Sequence, residues 1–131
     1  MVYNNLMQLS LWKRVIFYGL ALWLIVFAVI SLLVLLNLTN RSIPTDFVLF
    51  LAAFLLCWTF SSRLHLVSMS QGLLVGLAWL AINMLLDYTV IVRGFNGGDS
   101  AFYQTWIIWG HYVLMLIVPI IASSRRQVTP L

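Results

Sequence analysis

Four long runs of apolar residues, separated by short polar segments, constrain this chain more than any other feature. The first, over residues 15–36, contains no charged residue. About 20 apolar residues suffice for an α-helix to cross a hydrocarbon core about 30 Å thick. Inside a bilayer only helices and closed barrels satisfy their own backbone polar groups, and the runs lack the strict alternation of barrel strands. The pattern therefore predicts transmembrane helices.

The composition supports this interpretation. Soluble domains are about 45–50% apolar and about 25% charged, whereas this chain of 131 residues is 63% hydrophobic and 8% charged. We therefore expect an all-α integral membrane four-helix bundle, forming a single transmembrane domain over residues 1–131. The runs predict helices at about 15–36, 44–62, 72–92 and 101–123. The connections are short, which favours an up-down-up-down order with consecutive helices as antiparallel neighbours, and residues 1–12 are interpreted as an interfacial lead-in.

The charges predict an orientation in the membrane. Seven basic residues give a formal net charge of +4, and because they flank the apolar runs we expect no nucleic-acid partner. Four crossings place both termini and the connection between the second and third helices on one side. That side would hold five basic residues and the other two: Lys13, Arg14, Arg63, Arg125 and Arg126 against Arg41 and Arg93. The positive-inside rule then predicts cytoplasmic termini, N-in and C-in.

The third run carries the most informative polar residues. They form a stripe at steps of four, three, four and four, which keeps them on one helical face: Gly72, Gly76, Trp79, Asn83 and Asp87. The two glycines permit close helix approach. An ionisable residue in a membrane segment normally faces the protein interior and has a partner. The depths of Ser31, Gln104 and His111 make these three the candidate partners of Asp87.

Two interpretations of Asp87 remain open. As a functional group it would bind a proton or a cation. As a structural group it would join helices through hydrogen bonds, as polar side chains often do in membranes. The remaining Trp and Tyr residues are interpreted mainly as anchors at the membrane interface.

Several enzyme and cofactor classes are not expected. A single cysteine, Cys57, cannot form an intramolecular disulfide. His65 and His111 lie at different depths, which does not suit haem ligation, and neither a nucleophile-histidine-acid set nor metal-ligand spacing is present. We therefore expect no catalytic residues, no cofactor and no metal.

Three stretches are similar to a known group of proteins: YGLALWLIVF at 18–27, QGLLVGLAWLAINMLLDYTV at 71–90 and YVLMLIVPIIA at 112–122. They resemble small bacterial four-helix integral membrane proteins of unknown function. The resemblance implies a multi-pass protein of the cell inner membrane and brings no activity or catalytic residues with it. The chain lacks the membrane glutamate of small multidrug exporters and the cysteine pairs of quinone-linked disulfide enzymes.

Two functional hypotheses follow. The first is a small polytopic membrane protein with a structural, assembly or partner-binding role. The second is a proton- or cation-linked transporter or channel subunit, assembled as an oligomer around Asp87. Both make the lipid bilayer a partner, and both are compatible with a homo-oligomer or a larger membrane complex, because four helices leave little room for an internal pathway.

Overall fold

The computed structural model describes residues 2–36 and 43–127, and in these ranges it contains helices and no strands. The α-helices are α1 (Val2–Leu35), α2 (Ile43–Arg63), α3 (Met69–Leu86) and α4 (Trp106–Gln127), and α3 continues as a π-helix (Asp87–Phe95). A short 3₁₀ helix (Ser100–Gln104) precedes α4. Four segments are long and apolar enough to cross a membrane: Ser10–Leu35, Thr45–Arg63, Met69–Phe95 and Trp106–Arg125. The prediction of an all-α protein with four membrane-length helices is confirmed.

The first helix is longer than predicted. It begins at Val2 rather than near residue 15, so the expected interfacial lead-in is the first part of a continuous α1. No proline or glycine precedes Gly19, and the residues before the apolar run include good helix formers, so nothing local ends the helix there.

The third helix also begins earlier than predicted, at Met69 rather than residue 72. Its N-cap is Ser68, whose hydroxyl accepts a hydrogen bond from the backbone N–H of Gln71 at 3.2 Å. The Gln71 side chain in turn accepts from the backbone N–H of Val67 at 3.1 Å. This reciprocal arrangement is close to a capping box, which satisfies the free N–H groups of a first helical turn.

The fourth membrane helix begins later than predicted. Asp99 caps the 3₁₀ helix by accepting from the backbone N–H of Ala101 at 2.9 Å. Thr105 then adopts an extended conformation, and α4 starts at Trp106 instead of residue 101. Gln104 therefore belongs to the 3₁₀ helix and not to α4.

The last helix is central to the packing. It contacts both α2 and α3 extensively, while α1 packs mainly against α3. Although α2 and α3 are consecutive, they pack against α4 rather than against each other, contrary to the expectation that consecutive helices are neighbours. The reason is that the glycine-containing face of α3 lies against α4. The buried core between the helices includes Leu22, Cys57, Trp79, Met115 and Val118.

Candidate functional site

The stripe on the third helix is buried along its whole length. Its five members are Gly72, Gly76, Trp79, Asn83 and Asp87. Two leucines on the other side of the helix, Leu74 and Leu85, are exposed. The helical period therefore separates a face that meets protein from a face that does not.

The two glycines bring α3 close to the backbone of α4. A Cβ atom added to Gly72 would lie 2.7 Å from the carbonyl oxygen of Pro119, and one added to Gly76 would lie 2.8 Å from that of Leu116. Real Cβ atoms essentially never lie this close to another heavy atom. The absence of side chains at these positions is what allows the two helices to approach this closely.

Three hydrogen bonds join the next part of the stripe to α1. The indole N–H of Trp79 donates to the carbonyl oxygen of Val15 at 2.9 Å. The amide of Asn83 lies 3.4 Å from the carbonyl oxygen of Gly19 and donates to Trp79 O at 2.9 Å. The indole N–H of Trp23 donates to Asp87 Oδ1 at 2.8 Å. Each of the three bonds between helices links residues 64 positions apart, so the same register is repeated at three points along the two helices.

The carboxyl group of Asp87 accepts hydrogen bonds from two other helices. Trp23 of α1 binds Oδ1, and the hydroxyl of Tyr112 on α4 donates to Oδ2 at 2.5 Å. Asp87 is only 8% exposed and Tyr112 only 5%. We refer to Trp23, Asp87 and Tyr112 as the Asp87 junction, because these three side chains connect α1, α3 and α4 through one carboxyl group.

Aromatic side chains beside the junction fix the position of the Tyr112 ring. The backbone of Tyr103 is held in place because its carbonyl oxygen accepts from the indole of Trp109 at 2.8 Å. Trp109 packs edge-on against the ring of Tyr112, with centroids 5.9 Å apart.

A buried histidine lies near the junction. His111 directly precedes Tyr112 on α4 and is 7% exposed. Its ring packs against Phe50 with centroids 6.0 Å apart. The Nε2 atom is buried and has no hydrogen-bond partner among the described residues. Buried polar atoms without a partner are uncommon in folded proteins.

The backbone changes its hydrogen-bonding pattern at the junction itself. The α-helical part of α3 ends at Leu86, and Asp87 is the first residue of the π-helix that runs to Phe95. The N–H of Asn96, for example, donates to the carbonyl oxygen of Ile91, five residues earlier. Such π segments are rare and are frequent at functional sites. The helix predicted over about 72–92 is thus α-helical up to Leu86 and π-helical from Asp87 onward.

The predicted partners of Asp87 differ from those the structure provides. Ser31 and Gln104 are exposed, and of the three candidates only His111 is buried beside the junction. The hydrogen bonds come from Trp23 and Tyr112, which sequence reasoning assigned to interfacial anchoring. The sequence contained only a weak indication of these two contacts. A Trp or Tyr side chain that is buried usually finds a hydrogen-bond partner for its polar atom.

Neither the donor set nor similarity to known proteins assigns a ligand to this site. Within residues 2–36 and 43–127, no group of three or more His, Cys, Asp or Glu side chains is placed to hold a metal ion. No family model, curated protein or solved structure matches the chain. The contacts of Asp87 are therefore the basis for a functional assignment.

Proposed function

We propose that this chain is a small polytopic membrane protein with a structural, assembly or partner-binding role, in which the Asp87 junction holds three helices together. The observation that carries the proposal is that both carboxyl oxygens of Asp87 accept donors from other helices. A carboxyl group without such donors is costly inside a bilayer. The bonds of the junction therefore favour the packed bundle over separated helices.

The surface of α1 supports a role that involves lipid or further protein. In the most apolar part of the Ser10–Leu35 segment, only 11% of the residues are buried inside the bundle. Large apolar side chains such as Phe17, Leu24, Leu32 and Leu35 are exposed along it. Acyl chains and other membrane helices solvate such side chains equally well. We propose the bilayer as one partner and a homo-oligomer or a larger membrane complex as the assembled form.

The proposed topology is up-down-up-down, with both termini cytoplasmic in the inner membrane. The repeated 64-residue register between α1 and α3 supports parallel helices. Tyr18 of α1 stacks on Phe60 near the end of α2, and Gly72 at the start of α3 faces Ser123 near the end of α4. These contacts support one bundle end that collects five of the seven basic residues, which is the cytoplasmic end under the positive-inside rule. The loop of residues 37–42, expected on the opposite side, lies outside the described residues.

A second candidate function is a proton- or cation-linked transporter or channel subunit that uses Asp87. The observation that favours it is that Tyr112 binds the Asp87 carboxyl and that its neighbour in the chain, His111, is buried with an Nε2 atom that has no hydrogen-bond partner among the described residues. Ionisable groups that face one another inside a membrane bundle are typical of proton relays.

Substitution of Asp87 tests the structural role. Asp87→Leu removes both acceptors and should lower the free energy of unfolding by about 0.6–2 kcal/mol, the range for interhelical hydrogen bonds in membranes. Asp87→Asn should retain most of the stability, because its oxygen can accept from Trp23 while its amide donates to the Tyr112 hydroxyl. Unfolding is measured by titration with dodecyl sulfate in mixed micelles. Asp99→Asn is the control, since Asp99 is an exposed cap and Asn is an equally good capping residue.

Flux measurements separate the two candidates. Under the structural proposal, liposomes containing wild-type protein or Asp87→Asn should show the same proton and cation leak as empty liposomes. A pH-driven flux in the wild type that a folded Asp87→Asn variant loses would instead support the transport candidate. An Asp87→Leu variant as stable as the wild type would remove the basis of the structural proposal.

A further inference from the structure

Exposed basic side chains from three helices lie at the end of the bundle where α3 begins. Arg63 is the last residue of α2, five residues before the N-cap of α3. On α4, Arg125 comes two residues after Ser123, whose hydroxyl would lie 2.8 Å from a Cβ atom on Gly72 near the start of α3. The shared 64-residue register with α3 places the α1 residues before Val15 toward the same end. We refer to the exposed basic residues there as the basic end: Lys13, Arg14, Arg63 and Arg125.

The three acidic residues of the chain lie away from the basic end. Asp46 is in the first turn of α2, at the opposite end of that helix from Arg63. Asp99 caps the 3₁₀ helix before α4, and Asp87 belongs to the buried junction. A surface on which positive charges are not balanced by nearby carboxylates attracts anions.

The guanidinium group of Arg125 is held against α2. Its Cζ atom lies over the ring of Trp58, 5.1 Å from the ring centroid, which is a cation–π contact. Trp58 is inside the membrane-length segment Thr45–Arg63, and the side chains of a helix lean toward its N-terminus, so Arg125 reaches back along α4 toward the membrane. The N–H groups of an arginine form a fork that suits phosphate oxygens.

Apolar surface continues from Trp58 toward the middle of α2. Phe54 lies one helical turn away, with its ring centroid 6.3 Å from that of Trp58. Phe54 is 36% exposed and the neighbouring Leu55 54% exposed. A positive charge next to an exposed apolar strip matches a phospholipid, which joins a phosphate to acyl chains, better than it matches a free phosphate ion.

We propose that the basic end binds the headgroup of an anionic phospholipid. Arg63 and Arg125 contact the phosphate, and an acyl chain lies along Phe54 and Trp58. Basic groups between the ends of membrane helices bind anionic headgroups in this way. The proposal rests on the bilayer as a partner in the proposed function, but it does not depend on the direction in which the chain is inserted.

Native mass spectrometry of the purified full chain in a non-ionic detergent tests the proposal. The probes are phosphatidylglycerol and phosphatidylcholine with the same acyl chains, because both contain a phosphate but only the first is anionic. The wild type should bind phosphatidylglycerol more tightly by about tenfold or more, since each basic side chain near an anionic lipid changes the affinity by about fivefold. Arg125→Gln should therefore weaken binding of phosphatidylglycerol by about fivefold and leave that of phosphatidylcholine unchanged. Arg63→Gln should have a similar effect.

Arg93→Gln is the matched control. Arg93 is also exposed and also lies over an aromatic ring, with its Cζ atom 5.9 Å from the centroid of Tyr88, but it is at the opposite end of the third membrane-length segment. This variant should keep the wild-type preference for phosphatidylglycerol. Equal affinity of the wild type for the two lipids would overturn the proposal, and so would equal losses in Arg93→Gln and Arg125→Gln.

Competition with salts distinguishes a lipid from a free ion. Sodium phosphate and sodium chloride at the same ionic strength should weaken the binding of phosphatidylglycerol equally, because both act only by screening. If sodium phosphate displaced the lipid where sodium chloride did not, the site would bind free phosphate and the lipid proposal would be wrong. These outcomes concern the basic end alone, whereas the structural role of the junction depends on the stability of Asp87→Leu.

Discussion

Replacement of the two stripe glycines by alanine should destabilise the bundle, although alanine is the better helix former. The perturbation adds one methyl group to α3 at a point where α4 presents backbone atoms. At Gly72 the new Cβ would lie 2.7 Å from Pro119 O and 2.9 Å from the Cα atom of Ile120, and at Gly76 it would lie 2.8 Å from Leu116 O. Backbone atoms cannot rotate away as a side chain can, so the helices must separate.

The magnitude follows from two opposing effects. Alanine in place of glycine stabilises a helix by about 1 kcal/mol, because the unfolded chain loses less backbone entropy when it forms the helix. An extra methyl group in a closely packed interface costs about 1–3 kcal/mol. Gly94→Ala isolates the first effect, because the nearest atom to its added Cβ is Thr89 O at an ordinary 3.7 Å. Gly72→Ala and Gly76→Ala should each be about 1–3 kcal/mol less stable than Gly94→Ala.

Unfolding with dodecyl sulfate in mixed micelles measures these differences, with the loss of helical circular dichroism as the signal. Because both glycines lie at one interface, the double variant Gly72→Ala, Gly76→Ala should be non-additive: once the helices have separated for one methyl group, the second costs less. If Gly76→Ala were as stable as Gly94→Ala or more so, helix propensity alone would decide its effect and the close approach of α3 and α4 would be wrong.

Two further predictions concern the rest of the bundle. Trp79→Phe removes the hydrogen bond to Val15 O and leaves a gap in the core, so it should lower the free energy of unfolding by about 1 kcal/mol or more, whereas Trp106→Phe at a 67% exposed position should have almost no effect. The topology predicts that a membrane-impermeant thiol reagent will label Arg125→Cys only after the cells are opened, in a Cys57→Ala background. Labelling of Arg125→Cys in intact cells would contradict the proposed orientation.

The sequence by itself determined the features that depend on local periodicity and on transfer from water to lipid. Apolar runs of about 20 residues predict membrane helices wherever they occur in a chain. Steps of three and four residues place side chains on one helical face regardless of what packs there. For this reason the sequence alone predicts the four helices. It also predicts the shared face of Gly72, Gly76, Trp79, Asn83 and Asp87.

Only the tertiary structure decided which groups meet Asp87. Trp23 is 64 residues away and Tyr112 is 25 residues away, so both contacts depend on the relative depth and rotation of separate helices. A shift of one residue along a helix rotates a side chain by about 100°, which is why Ser31 and Gln104, chosen by depth alone, lie outside the junction. The π-helix that begins at Asp87 is likewise not encoded in hydrophobic periodicity, which indicates a buried helical face but not the spacing of the backbone hydrogen bonds.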